Sequence, residues 1–230
     1  MNIYAIICTR SREKVTQTTN NLLTYLAECG IKVFLLADTK SIFKSYERAY
    51  KAINPDPDDI LIFCHDDIEI REEPEVFKKK LIDALEFSAV GFVGPAGTTC
   101  LSPDAVWWNI ENWQAGKHRG RVTHLDKFGK EYLSPYGPTG EVVCLDGLFL
   151  AAKPKVILDV GLSRPEFFEA EWDFYDIYYT TQAHLKGYSN QVIDLNILHN
   201  SRGELVGRES WHKNREAFIS QNDLPIELKP

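Results

Sequence analysis

Short apolar runs alternate with amphipathic stretches through the first half of the chain. Ile3–Cys8, Lys32–Ala37 and Ile60–Cys64 have the length and composition of buried strands. Ile60–Cys64 is apolar throughout, which is typical of a central strand covered on both faces. Apolar residues recur at helical spacing over 12–29 and 41–53, between these runs. Such alternation predicts an α/β fold built on a sheet.

The second half of the chain is less regular. A helix is expected from Pro74 to about Phe87, with acidic residues in its first turn, and a short strand over Val90–Val93. Residues 97–140 are rich in aromatic residues, glycine and proline with little periodicity, which is typical of a functional loop or lid. Further elements are expected as a strand over Glu141–Ala152 interrupted at Asp146-Gly147, a helix over 172–186, a strand over Gln191–Leu198 and a helix over Arg208–Ile219.

Length and composition are those of one globular domain. The 230 residues suffice for a single large core, and 44% hydrophobic and 26% charged residues are ordinary values. The pattern predicts a mixed, mostly parallel sheet of about seven strands with helices on both faces. The net charge of −7 argues against a nucleic-acid partner, since phosphate binding needs a basic surface.

Two further features bear on the location of the protein. No apolar run approaches the roughly 20 residues of a membrane span, and the apolar start at Ile3–Cys8 is too short for a signal peptide. The five cysteines are scattered without a CxxC pair, which indicates reduced thiols and argues against a zinc site. We therefore expect a cytoplasmic protein without a transmembrane segment.

Acidic residues directly follow the most apolar strand. The segment reads Cys64-His65-Asp66-Asp67-Ile68-Glu69, and ligands of open α/β sheets bind beyond the carboxyl ends of the strands. Neighbouring carboxylates repel each other, and Mg²⁺ or Mn²⁺ relieves that repulsion while bridging phosphates. The alternative is that these acids cap the following turn and face water.

A second acidic group lies just ahead of the helix predicted over 172–186. Asp173 and Asp176 are three residues apart and would share a helix face. A carboxylate beside aromatic side chains has a raised pKa and suits the role of a general base. The competing interpretation is that Asp173 caps the helix while Trp172 and its aromatic neighbours pack in the core.

Two single residues add to the candidate site. His199 follows the last apolar strand, where an imidazole is either a metal ligand or an ordinary surface residue. Asp38 ends the second strand, where nucleotide-binding folds often place an acid for the ribose or base, although it is equally compatible with a plain turn. There is no GxGxxG after the first strand, no P-loop and no GxSxG, which disfavours dehydrogenases, P-loop enzymes and serine hydrolases.

Taken in order, these pieces resemble the family 2-like glycosyltransferases with the GT-A fold, and in particular the branch named after a streptomycin-biosynthesis protein domain. The resemblance covers most of residues 1–203 and depends on the order and spacing of short motifs. The matching segments are Ser45–Ala49, Leu61–Ile68, Val143–Ala151, Phe174–Asp176 through Gly187-Tyr188, and His199–Gly203.

The resemblance implies metal-dependent, inverting transfer of a sugar from a nucleotide-diphosphate donor to a saccharide or other hydroxyl acceptor, with UDP as the expected nucleotide. Asp67, Glu69 and His199 would hold Mn²⁺ or Mg²⁺. Asp176 would be the catalytic base. The expected donor contacts are Thr9, Arg10, Asp38, His65, Asp66, Asp146 and Gly147, and the expected acceptor contacts are Trp172 and Asp173.

The same resemblance divides the single domain into a nucleotide-binding half (1–95), an aromatic lid (97–140), an acceptor-binding and catalytic half (141–203) and a C-terminal tail (204–230). Three positions depart from the family pattern: Tyr175 replaces the acid of the usual Glu-Asp pair, Glu47 stands where the branch tends to have Asn, and the metal motif is DxE rather than DxD. A non-catalytic nucleotide or nucleotide-sugar binder on the same fold is therefore the main alternative. A nucleotidyltransferase is a third possibility, but Thr9-Arg10-Ser11-Arg12 lacks the glycines expected in a triphosphate loop.

Overall fold

The computed structural model describes residues 1–9, 15–200 and 208–228. Its helices are α1 (Gln17–Glu28), α2 (Ile42–Ile53), α3 (Pro74–Ala84), α4 (Ile110–Gln114), α5 (Pro154–Val160), α6 (Tyr175–Leu185) and α7 (Glu209–Gln221). Its strands are β1 (Ile3–Thr9), β2 (Lys32–Ala37), β3 (Ile60–His65), β4 (Ile68–Ile70), β5 (Val90–Gly94), β6 (Ala96–Thr98), β7 (Cys100–Leu101), β8 (His118–Leu125), β9 (Glu131–Gly137), β10 (Gly140–Val142), β11 (Cys144–Leu145), β12 (Phe149–Ala152), β13 (Ser189–Val192), β14 (Ile197–His199) and β15 (Ile226–Glu227).

The central sheet has seven strands in the order β10-β13-β5-β12-β3-β1-β2. Strand β3 lies inside it, between β1 and β12, and five of its six residues are buried. The predicted mixed sheet of about seven strands is confirmed. Within the described part of the chain, however, parallel and antiparallel pairs are equal in number, because β12 runs against both neighbours and β10 runs against β13.

A second sheet, in the order β11-β6-β8-β14-β4, carries the antiparallel hairpin β8–β9 at β8. The expectation that residues 97–140 are largely irregular is therefore wrong. Most of β9 is exposed, and Pro135 lies within it, so the strand shows no alternation of apolar and polar residues. A strand that contains proline is tolerated at a sheet edge. Here the pairing with β8 determines the conformation of β9.

The chain crosses between the two sheets near the end of the fold. The predicted strand over 191–198 is two strands, β13 beside β5 in the central sheet and β14 beside β8 and β4 in the second sheet. Likewise, the apolar run over 141–152 is divided among β10, β11 and β12, with the predicted interruption at Asp146-Gly147. Both crossings bring residues of the second half of the chain to the end of β3.

Local sequence signals determine the helix boundaries. Ser41 caps α2, accepting a hydrogen bond from the Lys44 amide, and Asn54 ends it in the left-handed conformation with a φ of 47°. Helix α6 begins directly after Phe174, which has a φ of 72° and a buried side chain.

No helix in the described ranges is both long and apolar enough to cross a bilayer. All five cysteines are unpaired, and four of them are buried.

Candidate active site

Three side chains from the two sheets meet where β3 ends. His65 is the last residue of β3, Asp67 lies in the turn to β4, and His199 ends β14, which pairs with β4. One potential ligand atom from each of the three lies within 4.8 Å of the others. His199 Nε2 lies 3.4 Å from Asp67 Oδ1 and 3.3 Å from His65 Nδ1, and the Asp67 Oδ1–His65 Nδ1 distance is 3.8 Å.

The chemistry of this cluster fits a divalent metal ion. The Oδ1 atom of Asp67 is buried and has no hydrogen-bond partner, although buried oxygens are usually bonded. The backbone oxygen of Asp67 accepts a hydrogen bond of 2.9 Å from the Asn200 amide, which holds the turn in place. Burial and the neighbouring His199 lower the pKa of His65 to about 4, so its imidazole is neutral and offers a lone pair.

The other two residues of the cluster, Asp67 and His199, titrate as a pair of opposite charges. Burial raises the pKa of Asp67, but His199 and His65 outweigh that effect, and the net pKa is lowered. Burial lowers the pKa of His199, but Asp67 and then Asp146 outweigh it, and the net pKa is raised. Without a metal ion, Asp67 and His199 therefore each favour the charged form of the other. A metal ion bound here would have to displace the proton of His199, because only the neutral imidazole is a ligand.

A second group of contacts centres on the peptide groups of Gly147. Its amide donates a hydrogen bond of 2.9 Å to Asp176 Oδ2, and its carbonyl accepts one of 2.9 Å from the Tyr175 hydroxyl. A Cβ at position 147 would lie 2.7 Å from both Asp176 Cβ and the Tyr175 hydroxyl oxygen. Only glycine fits this close approach. Asp146 accepts a hydrogen bond of 3.1 Å from the Leu148 amide.

The two carboxyl groups of this region have environments suited to proton transfer. Burial, followed by the charge of Asp146, raises the pKa of Asp176 to about 7. Burial also raises the pKa of Asp146. A carboxylate with a pKa close to neutrality is an effective general base.

The predicted donor contacts of the first half lie at the carboxyl ends of three neighbouring strands of the central sheet. Strands β1, β2 and β3 are parallel neighbours, with Cys8 beside His65 and Thr9 beside Ala37. Thr9 is buried, and Asp38 is exposed in the left-handed conformation just beyond β2. Asp66 is partly buried between His65 and Asp67. Arg10 lies outside the described residues.

Three other predicted residues do not join the cluster. Glu69 forms an ion pair of 2.8 Å with Arg71, which also binds Glu131 of β9. Asp173 is buried and accepts a hydrogen bond of 2.6 Å from the Ser210 hydroxyl of α7, so its carboxylate is engaged by the C-terminal helix. Trp172 is partly buried and packs against the core.

Two residues that sequence reasoning did not select lie beside the cluster. Tyr175 places its hydroxyl 3.1 Å from His65 Nε2. His124 of β8 lies with its ring 5.9 Å from that of His199 and is stacked on Tyr132. The departure from the Glu-Asp pattern at position 175 could have drawn attention to Tyr175. His124 lies in the segment 97–140, which shows little periodicity and gave no comparable signal.

The fold has the GT-A architecture, a mixed α/β sheet with three candidate metal ligands at the end of a central strand. Beside them lies a carboxyl group whose pKa is raised to about 7. Residues 5–221 match the sequence profile of a family described as a glycosyltransferase-like family. The chain belongs to this glycosyltransferase-like family.

Similarity to individual proteins agrees with this assignment. The chain is 25% identical over 189 residues to the streptomycin biosynthesis protein StrF of Streptomyces griseus, covering 80% of this chain and 62% of that protein. It thus spans less than two thirds of that relative.

Solved structures show the same fold at low identity. The crystal structure of GalNAc-T7 with UDP, GalNAc and Mn²⁺ aligns with a TM-score of 0.55 at 9% identity, covering 96% of this chain and 48% of that one. The crystal structure of TarS from S. aureus aligns with a TM-score of 0.50 at 14% identity, covering 87% of this chain and 37% of that one.

Proposed function

We propose that this protein transfers a sugar from a nucleotide-diphosphate donor to a hydroxyl group of an acceptor, with a divalent metal ion and with inversion at the anomeric carbon. The observation that carries the proposal is the buried Asp67 Oδ1, which forms no hydrogen bond and lies 3.4 Å and 3.8 Å from the imidazole nitrogens of His199 and His65 at the carboxyl end of β3. UDP is the proposed nucleotide, in line with the UDP and Mn²⁺ of the GalNAc-T7 structure.

The proposed metal ligands are His65, Asp67 and His199. We include His65 in place of Glu69, since Glu69 is held by Arg71. Two imidazole nitrogens and one carboxylate favour Mn²⁺ over Mg²⁺, which prefers oxygen ligands. When bound, the ion supplies positive charge against the diphosphate leaving group.

Asp176 is the proposed catalytic base. Its carboxylate is held by the Gly147 amide, and it takes the proton of the acceptor hydroxyl as that oxygen attacks the anomeric carbon. Attack from the face opposite the leaving diphosphate inverts the configuration. Burial, and after it the charge of Asp146, raises the pKa of Asp176 to about 7, which suits this transfer near neutral pH.

The remaining predicted contacts are kept as proposals around this centre. Thr9 and Asp38, at the ends of β1 and β2, would contact the nucleoside. Trp172 remains a candidate acceptor contact, while Asp173 would act indirectly by holding the segment ahead of α6 against α7. The aromatic residues of 97–140 would cover the sugars and exclude water.

The test is release of the nucleotide from a panel of UDP sugars, with simple saccharides as acceptors, in Mn²⁺ and in EDTA. We expect Mn²⁺-dependent release, and Asp67→Ala should reduce it at least about 100-fold because the ion loses its only carboxylate ligand. Asp58→Ala removes an exposed carboxylate ahead of β3 and is the matched control. NMR of the product anomer checks inversion.

Two results would contradict the proposal. Equal release in EDTA, or by the Asp67→Ala protein, would reject the metal site. Mn²⁺-dependent binding of a nucleotide without release from any sugar donor would instead favour the non-catalytic binder.

A further inference from the structure

We propose that Tyr175 is a positioning residue that fixes the tautomer and orientation of His65, so that His65 presents Nδ1 to the metal. This inference rests on the proposed metal site at His65, Asp67 and His199. It also accounts for a tyrosine in the place where the resembled family carries an acid.

One arrangement of protons satisfies both hydrogen bonds of the Tyr175 hydroxyl at the same time. The Tyr175 hydroxyl oxygen lies 2.9 Å from the Gly147 carbonyl oxygen and 3.1 Å from His65 Nε2. A carbonyl can only accept, so the single hydroxyl proton points to Gly147. His65 Nε2 must then donate its proton to the hydroxyl oxygen.

This arrangement leaves His65 Nδ1 without a proton. Nδ1 is the nitrogen that faces the other ligands, 3.8 Å from Asp67 Oδ1 and 3.3 Å from His199 Nε2. Metal-binding histidines generally donate their second ring N–H to a carboxylate or carbonyl group, which fixes the ring. Here Tyr175 relays that contact to the Gly147 carbonyl.

Tyr175 is itself held rigidly. Its side chain is buried at the first position of α6, and its ring packs edge-on against Tyr46 with centroids 5.7 Å apart. Its acceptor, the Gly147 carbonyl, belongs to the residue whose amide binds Asp176. Gly147 therefore links the proposed metal ligand, through Tyr175, to the proposed base.

The test compares Tyr175→Phe with Tyr179→Phe. Tyr179 is a buried tyrosine of the same helix whose hydroxyl donates a hydrogen bond of 2.7 Å to the Leu162 carbonyl, so its replacement also removes one buried hydrogen bond. Mn²⁺ affinity is measured by electron paramagnetic resonance, and the His65 tautomer by ¹⁵N NMR of the metal-free protein. Tyr175→Phe should weaken Mn²⁺ binding about 10- to 100-fold and give a mixture of His65 tautomers, whereas Tyr179→Phe should change neither.

The NMR measurement on the unmodified, metal-free protein decides the matter even where Tyr175→Phe fails to fold. A His65 proton on Nε2 supports the proposal, and a proton on Nδ1 overturns it. Unchanged Mn²⁺ affinity and tautomer in a folded Tyr175→Phe protein would also overturn it. Absence of Mn²⁺ binding by the unmodified protein would reject the metal site of the proposed function, a result separate from the tautomer.

Discussion

Two neighbouring aspartates show how the surroundings of single residues change the pKa of their carboxyl groups. Asp146 and Asp176 are both partly buried, and burial raises the pKa of each. Asp176 also feels the charge of Asp146, while His199 partly offsets the effect of burial on Asp146. The pKa of about 7 at Asp176 means that its charge changes near neutral pH, as its proposed role of general base requires.

Turnover should rise with pH through about 7, because Asp176 acts only when deprotonated and its pKa is raised to about 7. Asp146→Asn removes the neighbouring negative charge and so lowers the pKa of Asp176. The acidic limb of the pH–rate profile of this variant should therefore move to lower pH.

Asp176→Asn should reduce turnover about 10²- to 10⁴-fold, the usual contribution of general-base catalysis. Steady-state rates measured from roughly pH 5 to pH 9 give both the shift of the acidic limb and the loss of turnover.

The control for these variants is nucleotide binding. Asp176→Asn should retain Mn²⁺-dependent binding of UDP, since Asp176 is not among the proposed metal ligands. A profile that Asp146→Asn leaves in place, or moves to higher pH, would argue against the role of Asp146.

At the scale of elements, helix α7 binds the segment that leads into α6 through hydrogen bonds and aromatic packing. Asn214 of α7 is fully buried; its side chain accepts a hydrogen bond from the Ala170 amide and donates to the carbonyls of Ala170 and Asp173. Phe174, which follows, has a positive φ and packs against Trp211 and Phe218 of α7. The direction in which α6 leaves this segment therefore depends on a helix about 40 residues later in the chain.

Asn214→Ala should lower the free energy of unfolding by about 2–4 kcal/mol, because it leaves two backbone groups of partly buried Ala170 and the buried carbonyl of Asp173 without partners. Urea denaturation measures the change. Ser220→Ala, which removes an exposed hydroxyl of the same helix, is the control and should have little effect. A loss for Asn214→Ala no larger than that of the control would mean that α7 does not hold this segment.

At the scale of the whole molecule, the proposed metal site joins the two sheets. His65 extends from the central sheet and His199 from the second sheet, and Asp67 lies in the connection between them. The binding site across this junction exists only in the folded protein, so a ligand of this site binds the folded state alone. Binding should therefore raise the stability of the entire domain through linkage.

UDP with Mn²⁺ should raise the melting temperature by several degrees, since a ligand at about 100 times its Kd stabilises the folded state by roughly 2.7 kcal/mol. The shift should be larger with Mn²⁺ than with Mg²⁺, because two of the three proposed ligands are imidazoles. Thermal denaturation with UDP, GDP, CDP and dTDP, each with Mn²⁺, Mg²⁺ or EDTA, identifies the preferred base. An equal shift in EDTA, or in the Asp67→Ala protein, would contradict a metal-bridged donor site.

Much of the fold could be predicted because its signals are local. The continuous apolar run of β3 and the helical spacing and caps of α2 need no distant partner to be recognised. Strand β9 could not be predicted, since an exposed edge strand lacks alternation and acquires its conformation from pairing with β8. The parallel and antiparallel directions in the central sheet likewise depend on where β12 and β10 insert.

The sequence by itself determined the α/β class, the acids at the end of β3, and His199 and Asp176 as candidates. Only the tertiary structure decided that His65 rather than Glu69 lies with Asp67 and His199, and that Tyr175 bonds to His65. The physical reason is that these contacts join residues more than 100 positions apart, from two sheets and a helix. Side-chain direction and hydrogen-bond partners at such a junction follow from packing, which no local pattern records.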